Sequence, residues 1–155
     1  MGASAASQGA YVMLAGYAPR LTAEQERAVA ALLGRFHGEP FAPPTRPEVE
    51  AELGPELTAL LIERGDLVKL SDAIVLERAA YQEAMRRIVA HLRTHETITV
   101  AEARDLLRTT RKYMLAIFEH LDERRITRRR GDDRMLGPNA PTLTEVGPDN
   151  GGASG

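Results

Sequence analysis

The chain has 155 residues, with 20 Lys/Arg against 22 Asp/Glu, a net charge of −2, 43% hydrophobic residues and 5% aromatics. It has no cysteine, which excludes disulfides, cysteine-based zinc sites and thiol catalysis. No apolar run approaches membrane-spanning length and the first ten residues lack the basic and apolar regions of a signal peptide, so a cytoplasmic protein away from the membrane is expected.

In chain order, residues 1–19 read as a loose N-terminal segment in which "YVMLAG" could be the closing strand of a preceding unit. "LTAEQERAVAALLGRFHG" opens with Thr22 and Gln25 as a capping box and carries Val29, Leu32, Leu33 and Phe36 at helical spacing. "APPTRP" reads as a rigid connector into a short helix boxed by Thr45 and Glu48 and stopped by Gly54. "PELTALLIERG" is a third helix, and "LVKLSDAIVL" two short strands about a turn.

The same order then repeats after about 60 residues. "AAYQEAMRRIVAHLRTH" places Tyr81, Met85, Ile88 and Leu92 on one helical stripe. Thr99 and Glu102 box the next helix, Thr109 or Thr110 caps "RKYMLAIFEHLDE", and "RITRRRGDDRML" folds back about Gly131. Three helices followed by a two-stranded hairpin is the winged-helix plan. The expected fold is therefore mainly α with small β wings, as two tandem winged-helix (helix-turn-helix) domains. Residues 20–78 form the first, 79–136 the second, and 137–155 a disordered tail.

The two repeats differ in charge. Residues 1–78 hold seven Lys/Arg against eleven Asp/Glu, whereas residues 79–136 hold thirteen against nine. The second repeat is therefore expected to meet an anionic partner. Its last helix starts with Arg111 and Lys112 and ends with Glu119, Asp122 and Glu123, the reverse of what the helix dipole favours. Free backbone N–H groups at that end already attract anions, so a phosphate there would relieve the repulsion. Arg128, Arg129, Arg130 and Arg134 surround Gly131 in the hairpin, and arginine suits bidentate phosphate contacts. Strand alternation leaves a conflict. If Ile126 faces the core, Arg128 and Arg130 share its side unless the strand leaves the core or bulges. The competing view is a solvated surface neutralised by Asp132, Asp133, Asp122 and Glu123.

The segment "TVAEARDLLRTTRKYMLAIFEHLDERRITRRRGDDRML" resembles the end of bacterial selenocysteine-specific elongation factors. "TVAEARDLL", "RKY" opening the recognition helix, "EHLD" closing it and "ITRRRGDDRML" as the wing carry the likeness. A weaker likeness over "PRLTAEQERAVAALL", "EPFAPPTRPEVEAELG" and "ERGDLVKLSDAIVL" extends it to the preceding unit of the same arm. The resemblance implies that the last winged helix binds an mRNA hairpin, the selenocysteine insertion element, so that UGA is decoded as selenocysteine. It implies RNA contacts at Arg111, Lys112, Arg128, Arg129, Gly131 and Arg134, with Arg130 added from its place in the basic run, and it leaves Tyr113 to packing. It also implies that the ribosome is reached through the full-length factor. No phosphate loop of the G-x-x-x-x-G-K-[ST] kind occurs, so GTP hydrolysis is expected outside this chain, which is itself not an enzyme.

Two other functions stay open on sequence alone: a DNA-binding winged-helix transcription regulator, and a protein-interaction module with an acidic docking unit. The first repeat lacks a basic pair at the matching helix start and reads as a spacer. His91 and His95 stand four apart, yet no cysteine or H-E-x-x-H pattern accompanies them, so no metal or cofactor is expected. No paired carboxylates suggest hydrolase chemistry, and a monomer is expected.

Overall fold

The computed structural model describes residues 21–142; the expectations for the "YVMLAG" strand and for most of the C-terminal tail lie outside them. The chain forms two units that divide after Ala31, inside helix α1 (Ala23–Gly38). In the first, the capping box stands as expected: Thr22 N–H donates to Gln25 Oε1 (2.8 Å) and Gln25 N–H to Thr22 Oγ1 (3.0 Å).

The second unit, from Leu32, holds everything that positions the candidate site. Leu32 and Phe36 of α1 are buried in it. Helix α2 (Arg46–Leu53) starts where Glu48 Oε1 accepts the Thr45 N–H, and Gly54 separates it from α3 (Pro55–Arg64). Strands β1 (Leu67–Lys69) and β2 (Val75–Glu77) pair antiparallel, with Val68 opposite Leu76. Helix α4 (Arg78–Thr94) buries Tyr81, Met85, Ile88 and Leu92, the expected stripe. Helix α5 (Val100–Leu107) has both bonds of its capping box, Thr99 N–H to Glu102 Oε1 and Glu102 N–H to Thr99 Oγ1, each 2.9 Å. Helix α6 (Arg111–Glu123) buries Met114, Ile117, Phe118 and Leu121.

The second wing pairs β3 (Thr127–Arg130) with β4 (Asp133–Leu136), placing Arg129 opposite Arg134. Ile98 adds a third, one-residue rung: its N–H and C=O each bond the backbone of Arg134 at 2.9 Å. Ile98, just before α5, is thus an edge of the wing sheet. Two tandem three-helix-and-hairpin repeats are present, as the sequence plan required.

One core cluster contains Ala80 to Ile126 together with Phe41 and Leu76 from the first repeat. Each fully buried side chain of this size stabilises by about 1.5–3 kcal/mol. The second repeat therefore completes its interior with residues borrowed from the first.

Candidate nucleic-acid interface

The start of α6 is set from below by the connector. Thr110 is its N-cap, although the Tyr113 N–H lies 3.5 Å from the Thr110 hydroxyl, a long bond. Thr109 is engaged elsewhere, its hydroxyl donating to the Phe41 carbonyl at 2.5 Å. The Tyr113 hydroxyl donates to the Pro43 carbonyl at 2.5 Å and is buried, so Tyr113 packs as expected. Burial first, and Glu48 second, push its phenol above the ordinary value. These bonds hold the first turn of α6 so that Arg111 and Lys112 point outward and exposed. Neither forms an ion pair among the described residues; Lys112 lies 5.6 Å from the Tyr113 ring centre. The first turn carries no acidic residue. Two cations therefore stand uncompensated at the positive end of a helix.

The wing arginines divide. Arg128, Arg129 and Arg130 are all exposed, which answers the alternation conflict. Arg125 has φ 63°, and this left-handed residue turns the chain so that Ile126 and Thr127 are both buried before the strand leaves the core. Arg128 lies against Met135 Sδ at 3.8 Å and faces no carboxylate at ion-pair distance. Arg129 is 3.8 Å from Asp132, and Arg130 is 2.9 Å from Glu96. Both pairs are well exposed, and such pairs contribute little and give way to a better anion. Gly131 takes φ 63°, as the tight turn demands.

Arg134 corrects the sequence reading. It is 2% exposed, and its Nε donates to Asp122 Oδ2 at 2.9 Å and Oδ1 at 3.2 Å. Its Nη1 donates to the Asp132 carbonyl, and its guanidinium lies 4.8 Å from the Phe118 ring centre. The Thr127 hydroxyl completes the cluster by donating to Asp122 Oδ1 at 2.6 Å. Arg134 thus fastens the wing to the end of α6 and has no surface left for a ligand. Its partner is twelve residues away in sequence, so a count of arginines could not separate it from its neighbours.

A shallow cleft of about 450 Å³ beside the wing is lined by Asp122, Arg125, Thr127, Arg128, Arg129 and Pro138. Arg125 was not among the expected site residues. Arg111 and Lys112 do not line this cleft. They sit at the other end of α6, roughly 16 Å away along the helix axis at 1.5 Å per residue. The geometry is an extended basic surface with two stations.

Elsewhere, Tyr81 and His120 are engaged in packing. Arg124 donates to the Tyr81 hydroxyl at 3.0 Å, and that hydroxyl shares a hydrogen bond with His120 Nδ1 at 2.8 Å. Burial, then Arg124, hold His120 below its ordinary pKa. His91 and His95 stack with ring centres 4.1 Å apart, and among the described residues no three potential ligands gather as a metal site. No helix among the described residues is long and apolar enough to cross a membrane.

With this geometry in view, residues 90–136 match the family model described as "Elongation factor SelB, winged helix". Over these residues the chain is similar to a SelB winged helix. The selenocysteine-specific elongation factor of Desulfomicrobium baculatum is 31% identical over 81 residues, covering 52% of this chain and 13% of that protein. The chain thus spans a small part of that relative's length. Two solved structures share the fold. One is a bacterial selenocysteine-specific elongation factor EF-Sec, with TM-score 0.58, 20% identity, and coverage of 74% of this chain and 18% of that one. The other is the mRNA-binding domain of elongation factor SelB from E. coli in complex with SECIS RNA, with TM-score 0.60, 21% identity, and coverage of 76% and 99%. The SelB match takes in α5, α6 and the wing, and so contains both basic stations.

Proposed function

We propose that this chain is the RNA-binding part of a selenocysteine-specific elongation factor, and that its second repeat holds the mRNA hairpin that directs selenocysteine to UGA codons. The observation that carries this reading is the uncompensated pair Arg111 and Lys112 at the positive end of α6, inside the SelB-matched segment. Arg128, Arg129 and Arg130, about Gly131, make the second station; Arg134 positions them. The chain itself performs no catalysis on this reading. It acts in the cytoplasm as a monomer, and GTP hydrolysis and ribosome contact belong to the full-length factor. The boundary between spacer and RNA-binding repeat lies near residue 78.

RNA suits the surface better than duplex DNA. A-form RNA hides base edges in a narrow major groove and is read through backbone shape and unpaired bases. Two stations at opposite ends of a short helix fit the bend of a hairpin tip.

Titration with a hairpin carrying a bulged base and with a duplex DNA of equal charge tests this. The hairpin should bind more tightly, with a log–log salt slope of roughly −3 for four phosphate contacts. Arg111→Ala should cost about 1–3 kcal/mol of hairpin binding. Equal affinity for both nucleic acids would reject the proposal and favour a DNA-binding regulator.

A further inference from the structure

Helices α2 and α3 are each followed by a glycine at φ 87°, Gly54 and Gly65. Glycine is the usual residue there because an L side chain is strained at positive φ. The corresponding positions of the second repeat also follow α5 and α6 at positive φ, but with arginine, although Gly54 at ψ 154° is not left-handed helical as Gly65 (ψ 5°) and Arg108 are. Arg108 has φ 55° and ψ 54°; its N–H bonds the Asp105 carbonyl at 3.3 Å, and the Thr109 N–H bonds the Arg104 carbonyl at 3.0 Å. Arg125 has φ 63°; its N–H bonds the Asp122 carbonyl, and the Ile126 N–H bonds the Leu121 carbonyl, both at 2.9 Å. Both sites thus show the paired bonds of the Schellman turn, in which glycine is the relaxed choice.

Arg108 and Arg125 are the non-glycine residues with positive φ among the described residues. Both are exposed, and neither side chain has a hydrogen-bond or ion-pair partner among the described residues. The turns would form with less strain if both were glycine, so the fold gains nothing from either guanidinium. Each stands beside one basic station. Arg108 is in the turn three residues before Arg111, and Arg125 lines the wing cleft with Arg128 and Arg129. Backbone strain kept without a structural return points to a ligand that uses the side chain.

We propose that Arg108 and Arg125 are two further contacts to the RNA sugar-phosphate backbone, one extending each station. This rests on the hairpin-binding reading above. It also accounts for the difference between the repeats: the spacer-like repeat has glycines where the binding repeat has arginines.

The test is Arg108→Gly, Arg125→Gly and Arg108→Lys, each measured by thermal melting and by hairpin titration across a salt series, beside the unaltered chain. Both glycine variants should melt at the same temperature or up to about 4 °C higher. Each should bind the hairpin about 3–10-fold more weakly and lose about 0.7–0.9 from the salt slope. Arg108→Lys keeps the charge and the strained backbone, and should retain most of the affinity. Unchanged hairpin affinity in both glycine variants would overturn the proposal, as would a drop in melting temperature, which marks a structural role. If the unaltered chain fails to hold the hairpin, the functional reading itself falls and takes this proposal with it. The control arm separates that case from the others.

Discussion

Arg134 shows how one residue type in one short run serves opposite ends. Its neighbours Arg128, Arg129 and Arg130 reach into solvent, while it lies under the wing against Asp122 and Phe118. Arg134→Ala would leave the Asp122 carboxylate without its counter-charge in a mostly buried place. Loss of one partner of such a pair costs about 3–5 kcal/mol, somewhat less here because Asp122 keeps 20% exposure. We expect a markedly lower urea midpoint, with hairpin binding lost in step with wing order. A variant of wild-type stability with weakened binding would instead make Arg134 a direct contact. None of this was legible locally. Alternation along β3 and β4 tells which side chains share a face, but not which face carries a buried acid. Arg108 and Arg125 were illegible for a different reason: a helix end is announced in sequence by glycine, and here the announcing residue is absent.

At the scale of elements, the helices and hairpins were legible because their signals are local. Thr99 with Glu102 and Thr22 with Gln25 form reciprocal caps within one turn, and the stripe from Tyr81 to Leu92 follows helical period. The docking of α4 on α6 was not legible, since the chain Arg124–Tyr81–His120 joins residues about forty apart. It has a pH consequence. A folded chain that holds His120 below its ordinary value of 6.5 binds that proton less readily than the unfolded chain does. Stability from this contact is therefore complete above pH 6.5 and falls as pH drops below it, until the folded group also titrates. Urea midpoints should be lower at about pH 5.5 than at about pH 7.5, and His120→Gln should shrink the difference. Glu83, whose pKa is held at about 2 by the Arg86 guanidinium first and then by Arg87, acts in a separate window. Its contribution is lost only as pH falls from about 4.5 to 2, and solvent screening keeps it small. An unchanged midpoint across the His120 window would show that His120 is not held neutral.

At the scale of the molecule, charge divides the chain into an acidic and a basic repeat, but packing does not divide it there. Phe41 and Leu76 belong to the core of the second repeat, and the Phe41 and Pro43 carbonyls hold Thr109 and Tyr113. Residues 79–142 made alone would lack both side chains and both acceptors. We expect that fragment to be less stable than residues 21–142 by roughly 3–5 kcal/mol, from the exposed apolar surface alone. Equal denaturation midpoints for the two would show that the borrowed residues contribute nothing. The repeat in sequence was easy to see; the sharing of one interior was not, because hydrophobic period marks an inward face without naming its neighbour. This shared interior has a mechanical meaning. Where two modules are joined by a loose string, a captured hairpin could swing and only its distance would be set. Here the two repeats share one interior from Phe41 onward, so on the proposed function the fold would set the direction in which a captured hairpin is presented as well as its reach.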